Sequence, residues 1–195
     1  MTAMPILTTD RLIIRPFELE DLDFYHRMMN DAFGETPLED HRAWIEWAVR
    51  SYPALAALYQ PPYGDRAVIH RDTGTLVGSV GIVPCMGPFD RLPYWRERSS
   101  VPPTGLFTAE FGLFWAIETP YRRQGYAVEA TQAVIDYLFD TLTLQRVIAT
   151  TEFSNEASQA VMRKLGMRIE RSTDPEPPWF QIIGVLDNPR LKSAT

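Results

Sequence analysis

Arg122-Arg123-Gln124-Gly125-Tyr126-Ala127 stands between two segments of opposite periodicity. Before it comes Phe111-Gly112-Leu113-Phe114-Trp115-Ala116-Ile117, an apolar run of strand length. After it, Ala127, Ala130, Thr131, Val134 and Leu138 recur at the spacing of a helix lying against a sheet. A loop at such a junction presents successive backbone N–H groups at a helix N-terminus, where the dipole favours anions. Gly125 lets the backbone come close to a ligand, and small Ala127 lets the helix start near the strand. Arg122 and Arg123 add cationic donors for phosphate oxygens. The junction therefore predicts a pyrophosphate cradle. Neither Gly-x-x-x-x-Gly-Lys-Ser/Thr nor Gly-x-Gly-x-x-Gly is present in it.

Downstream, Gln145-Arg146-Val147-Ile148-Ala149-Thr150-Thr151 reads as a β-branched-rich strand. Asn155-Glu156-Ala157-Ser158 then opens a helix that closes at Leu165-Gly166-Met167. The first block resembles the Arg/Gln-x-x-Gly-x-Gly/Ala loop of GNAT-superfamily N-acetyltransferases, which holds the pyrophosphate of acetyl-coenzyme A. The second resembles that family's Asn-x-x-Ser/Ala block and its Leu-Gly-Phe/Met helix end. At the N-terminus, Leu7-Thr8-Thr9-Asp10-Arg11-Leu12-Ile13-Ile14-Arg15-Pro16-Phe17 is similar to the opening strand of the branch containing ribosomal-protein N-terminal (Rim-type) acetyltransferases. The resemblance runs from about Leu7 to Gly184, with a break between Met86 and Gly105.

That resemblance implies one N-acetyltransferase domain over residues 1–195, an α/β GNAT-like fold. Its sheet is expected to be mixed and mostly antiparallel, flanked by helices, with splayed central parallel strands. Acetyl-CoA is the implied cosubstrate, its pantetheine arm lying where Phe111–Ile117 and Arg146–Thr151 part. The implied cofactor-binding residues are Trp115, Ile117, Arg122, Arg123, Gln124, Gly125, Tyr126, Ala127, Asn155 and Ser158. A backbone N–H near Phe114 or Trp115 becomes the oxyanion donor. Asn155 has two compatible readings, as helix N-cap and as a partner of the pantetheine arm. Ser158 stands where much of the superfamily has a tyrosine that protonates the departing thiolate, and is one of two expected catalytic residues.

The other expected catalytic residue is Glu110. Acetyl transfer to an amine needs a nitrogen without its proton, a nearby aligned thioester, a donor for the developing oxyanion and a proton for the thiolate. Glu110, at the head of the cofactor strand, is the expected base, with Glu118 and Glu176 as the other carboxylates weighed. No metal is called for, and His26, His41 and His70 are scattered along the chain. The expected function is thus acetyl-CoA-dependent N-acetylation of a primary amine, on a protein N-terminus or a small molecule. The alternative is a catalytically weak acyl-CoA sensor or assembly protein; transfer of a longer acyl chain stays open.

Composition is compatible with this. A chain of 195 residues with 45% hydrophobic and 12% aromatic residues is expected to fold as a monomer or homodimer with a full core. A net charge of −6 argues against a nucleic-acid duplex as partner. No apolar stretch is long enough to span a bilayer, no secretory signal is expected, and lone Cys85 fits a cytoplasmic location.

Other elements are expected as follows. A helix starts at Glu20-Asp21, with Leu22, Tyr25, Met28 and Met29 apolar. A second runs from near Pro37 to Ser51, ended by Pro53 and carrying Trp44 and Trp47. Ala67–His70 and Leu76–Val83 form a strand pair turned by Asp72-Thr73-Gly74. Cys85 to Gly105, with Pro88, Pro93, Pro102 and Pro103, breaks the strand pattern and reads as an insertion. It is expected either to wall the acceptor cleft, with Tyr94, Trp95 and Arg96 facing the acceptor, or to be an oligomer contact or tolerated loop. Trp179–Val185 closes the sequence as a strand.

Overall fold

The computed structural model describes residues 3–191. The chain divides into two compact units, Met1–Val83 with Phe114–Ile135, and Pro84–Leu113 with Asp136–Thr195. They are not consecutive domains, because the chain passes from one to the other within single strands and a helix.

In the first unit, β1 (Leu7–Thr8), β2 (Leu12–Pro16), β3 (Gly64–His70) and the start of β4 (Leu76–Gly87) are neighbours in that order, each pair antiparallel where its register is set. Between β2 and β3 run α1 (Leu22–Phe33), entered through a 3-10 turn at Leu19–Asp21, and α2 (Leu38–Ala57). Their apolar faces meet the sheet side that carries Ala67 and Ile69. Phe17, Tyr25, Met28 and Ile45 are buried there with Ala116. Tyr25 stacks on Trp44 with ring centroids 4.4 Å apart, so Trp44 belongs to this core, whereas Trp47 is 56% exposed. The burial is the driving force: each large side chain removed from water contributes about 1.5–3 kcal/mol.

Pro53 does not end the second helix but lies inside it. Pro53 is exposed, so the carbonyl it leaves without an amide partner can face water. Tyr52 meanwhile anchors the turn, its hydroxyl donating to the Asp65 carbonyl at 2.6 Å. Tertiary packing outweighs the local signal.

The second unit holds the start of β5 (Thr108–Ile117), β6 (Arg146–Thr151), α5 (Glu156–Lys164), β7 (Arg168–Arg171) and β8 (Ile182–Asp187). The strand order is β5-β6-β8-β7. β5 and β6 are parallel and registered only at Gly112 opposite Ile148, the sparse pairing expected of strands that part. β6 and β8 are antiparallel along their whole length, from Arg146–Asp187 to Thr151–Ile182. The final strand starts later than the sequence suggests, because Pro178–Phe180 forms a 3-10 turn.

The segment from Cys85 onward also departs from expectation. β4 continues to Gly87, followed by a 3-10 turn at Phe89–Arg91 and a short helix α3 (Pro93–Arg96). Phe89, Leu92 and Tyr94 are buried with Ile148, Phe180, Ile183 and Val185. Phe89 lies 5.3 Å from the Phe180 ring and 5.0 Å from Trp95. Tyr94 is therefore a core residue, Trp95 is half-buried against it, and Arg96 is exposed. The last cradle element, α4 (Tyr126–Asp140), follows β5 in sequence. No helix among the described residues is long and apolar enough to cross a membrane.

Candidate active site

The loop after β5 turns through two residues of positive φ. Gly125 has φ +87° and Arg123 φ +62°, two left-handed residues that turn consecutive N–H groups outward. From Arg123 to Val128 no backbone N–H finds an acceptor among the described residues. The first such bond is Glu129 N–H to the Gly125 carbonyl, 3.0 Å. Six successive donors thus lie open at the head of a 15-residue helix.

The arginines differ. Arg122 donates through Nε to the Ile117 carbonyl at 2.8 Å and through Nη2 to Asp31 at 2.7 Å. Thr119 also donates to Asp31, at 2.6 Å. Arg122 therefore braces the loop against α1. Arg123 is exposed, and its guanidinium has no partner among the described residues. Gln124 donates to the Pro120 carbonyl at 3.1 Å. Tyr126 is buried, its ring 5.9 Å from His70, and Ala127 is half-buried.

A clamp that sequence reasoning missed holds the loop. Arg11, between β1 and β2, donates through its backbone N–H and Nε to Glu129, at 3.0 and 2.7 Å, and through Nη1 to the Gln124 carbonyl at 3.1 Å. Thr9 donates to the same carboxylate at 2.6 Å. Arg11 also lies 4.6 Å over the Tyr126 ring. Burial pushes the Glu129 carboxyl up, but the bonds from Thr9 and Arg11 outweigh it and hold the group below its usual range. The available signal was an acidic residue in the first turn of the cradle helix and an arginine inside the N-terminal motif.

In the second unit, Asn155 caps α5. Its Oδ1 accepts the Ser158 N–H at 3.0 Å, and its carbonyl accepts the Gln159 N–H at 3.2 Å. The amide N–H2 of Asn155 has no acceptor among the described residues, so the cap leaves two donors available. Ser158 is half-buried one turn into the helix. Trp115 is half-buried and Ile117 buried on β5.

Glu110 is bound on both oxygens. Arg146 Nε lies 3.0 and 2.9 Å from the two oxygens, its Nη2 donates at 2.5 Å, and the Trp95 indole N–H donates at 3.1 Å. Its side chain is only 9% exposed. This arrangement anchors the 85–105 segment to β5 and β6, and it directs the carboxylate at a guanidinium instead of open space. Glu118 lies 3.6 Å from Arg27, and Glu176 is exposed. Among the described residues no group of three His, Cys, Asp or Glu could hold a metal ion.

Comparisons with known proteins agree with this geometry. Residues 11–168 match the model of the acetyltransferase (GNAT) domain. An uncharacterised N-acetyltransferase of Bacillus subtilis, YnaD, is 31% identical over 168 residues, covering 84% of this chain and 83% of that protein. The spermidine N(1)-acetyltransferase of Escherichia coli K12 is 27% identical over 161 residues, covering 80% of this chain and 73% of that protein. Among solved structures, a putative ribosomal-protein-serine acetyltransferase from Vibrio cholerae superposes with a TM-score of 0.64 at 20% identity, over 96% of this chain and 99% of that one. Open donors at the cradle, the capped α5, parting β5 and β6 and a family match over most of the chain converge: the protein belongs to the GNAT acetyltransferase family and is an acyltransferase.

Proposed function

We propose that this protein is an acetyl-CoA-dependent N-acetyltransferase that acetylates a primary amine by direct attack in a ternary complex. The observation that carries the reading is the open run of N–H donors from Arg123 to Val128. Such an array suits a pyrophosphate, which offers many acceptor oxygens and a double negative charge to the positive end of a helix. Acetyl-CoA, when bound, supplies the thioester and the departing thiolate. Around it the chain's own residues act separately. Arg123 and the loop amides of Gln124, Gly125, Tyr126 and Ala127 bind the pyrophosphate, and Arg122 keeps the loop in shape. Trp115 and Ile117 present main-chain groups of β5. The open amide of Asn155 donates to the pantetheine arm, and Ser158 hydrogen-bonds the sulfur as it leaves. The acceptor is a primary amine of a protein N-terminus or a small molecule, in the cytoplasm.

The test is a thermal-shift titration with acetyl-CoA and CoA, with ATP and NAD as controls, followed by an acetylation screen of spermidine and serine-initiated peptides. A ligand at a hundredfold excess over its dissociation constant should stabilise by about 2.7 kcal/mol. Stabilisation by both CoA species and acetylation of an amine is the expected result. Stabilisation without turnover on any amine would favour the acyl-CoA sensor, and no shift with either CoA species would remove the cradle assignment.

A further inference from the structure

His26 on α1 and His41 on α2 are 15 residues apart in sequence, and the fold brings their Nδ1 atoms to 2.8 Å. The contact continues along α1. The Asn30 side-chain amide nitrogen lies 3.4 Å from His26 Nε2, and Asn30 Oδ1 accepts the Thr36 N–H at 3.0 Å. His41, His26, Asn30 and Thr36 thus form one chain of hydrogen bonds, which ties α1 to the connection leading into α2. The other bonds at this corner are short-range, from the Gly34 N–H to the Asn30 carbonyl at 3.0 Å and from the Asp40 N–H to the Pro37 carbonyl at 3.1 Å. No side chain caps the N-terminus of α2.

One arrangement of protons satisfies the whole chain. The Thr36 N–H needs an oxygen, which fixes the Asn30 amide with its NH2 toward His26. His26 Nε2 must then accept, so His26 carries its proton on Nδ1. That proton is donated to His41 Nδ1, which leaves the His41 proton on Nε2. Both rings are neutral. A further proton on either ring sets two donors face to face, however the tautomers shift. The clash falls either between His26 Nε2 and the Asn30 NH2 or between the two Nδ1 atoms.

The charges around the pair are mostly engaged elsewhere. Arg27, beside His26, turns to the Asp23 carbonyl at 3.2 Å and to Glu118 at 3.6 Å. Asp31, beside Asn30, accepts from Thr119 and Arg122 at 2.6 and 2.7 Å. Glu39 and Arg42 on α2 pair at 3.3 Å, and the Asp23 and Glu35 side chains are exposed. Tyr25 packs edge-on to His41 at 5.4 Å, and burial raises its phenol, which stays neutral. Asp40 favours a proton on His41, but burial and the His26 ring outweigh it and hold His41 below its usual range.

We propose that His26, His41 and Asn30 are a pH-sensitive latch, which closes the α1–α2 corner while both imidazoles are neutral and releases it when either takes up a proton. The latch is a property of the fold and does not depend on the acetyltransferase reading. Its reach extends to β5. Phe33, the last residue of α1, is 66% exposed, and its ring stacks on Phe114 at 6.1 Å. A histidine held neutral in the closed state stabilises that state fully above its free value, about 6.5. The contribution is lost as pH falls below that value. Acid therefore opens the corner and frees Phe33 from Phe114.

The experiment is amide exchange at Thr36 in wild type and Asn30→Asp, at about pH 7.5 and about pH 5.5. The Glu129 amide, whose acceptor is the Gly125 carbonyl, serves as control. In wild type the Thr36 protection factor should fall about tenfold between the two, the effect of one proton bound near 6.5, with Glu129 unchanged. Asn30→Asp places a second oxygen where the amide NH2 stood, and it accepts from a protonated His26. Protection at Thr36 should then persist in acid. The Phe33–Phe114 contact, read as ring-to-ring nuclear Overhauser effects, should weaken with Thr36 in wild type and persist in the variant. Equal wild-type protection at both pH values would overturn the latch, as would an equal fall in Asn30→Asp. A parallel fall at Glu129 would also overturn it, because acid would then be loosening the whole unit. Should Asn30→Asp not fold, the imidazole nitrogen shifts of the wild type decide. A proton on Nδ1 of His26 and on Nε2 of His41 at about pH 7.5 supports the latch, and the reverse pair of tautomers refutes it.

Discussion

Two exposed loops of this molecule treat their backbone donors in opposite ways. Between Arg123 and Val128 the N–H groups are left open, and the side chains around them (Arg11, Glu129, Arg122, Asp31) bond one another or main-chain carbonyls. Between Trp95 and Leu106 all the amides except that of Ser100 are closed internally. Those of Trp95 to Ser99 bond preceding carbonyls, Thr104 and Gly105 bond Asp90, and Leu106 bonds the Thr104 hydroxyl. At the surface an open array is hydrated and can exchange that water for a ligand, whereas a closed one offers no donors. On the proposed function, the difference separates a surface kept for a ligand from one that holds its own shape.

The sharpest way to break that contrast is Gly125→Glu. The position has φ +87°, and an added Cβ would meet Arg11 Nη2 at 3.4 Å. The carboxylate would also oppose a pyrophosphate. CoA affinity measured by calorimetry should fall by more than about 100-fold, roughly 2.7 kcal/mol or more. Wild-type affinity would mean that the open amides are not the binding site.

Phe89→Ala addresses the other loop. Phe89 is fully buried against Trp95 and Phe180. Its truncation should cost about 3–5 kcal/mol in urea unfolding, the usual range for a buried phenylalanine. CoA affinity should stay within about threefold. A loss below 1 kcal/mol would show that the 85–105 segment is only laid on the surface.

A smaller effect is expected at the clamp. Glu129→Gln keeps an acceptor but loses charge, and Arg11 is 44% exposed, so solvent screens much of the pair. The variant should lose about 1 kcal/mol of stability and a few-fold in CoA affinity. A greater loss of affinity than of stability would assign the clamp mainly to shaping the loop.

The same contrast explains what the sequence could disclose. The strand–loop–helix around Gly125 was legible because its signals are local: a strand, a glycine, two arginines and a helical repeat within thirty residues. Asn155 and Gly166 were legible for the same reason, as helix-end signals. The 85–105 segment was not, since its prolines suggest an open loop while its fold depends on Phe89 meeting Phe180, far along the chain. Pro53 misled similarly, the local break being overridden by Tyr52 packing on β3. At the site, residue identity did not reveal partners. Glu110 looked like an available base, but Arg146 and Trp95 reach it only through tertiary structure.

Acid offers the finest test of the comparison, because each loop hangs on one carboxylate. Glu129 titrates below its ordinary 4.5, partial burial being outweighed by the bonds from Thr9 and Arg11. Asp90 titrates below its ordinary 3.8 because the Thr104 hydroxyl and the Thr104 and Gly105 amides donate to it. A carboxyl with a depressed folded pKa stabilises fully above its unfolded value and loses that contribution as pH falls through the folded one. Exchange protection at the Arg11 N–H should therefore persist through pH 4.5 and fail only below it. Protection at Thr104 and Gly105 should likewise persist through pH 3.8, and in Asp90→Asn it should be weak at every pH. The open amides from Arg123 to Val128 have no such bond to lose and should stay unprotected throughout, until CoA is added. Loss at Thr104 while Asp90 is still ionised would show that the loop is closed by something other than this carboxylate. The difference between the two loops would then lie in packing alone.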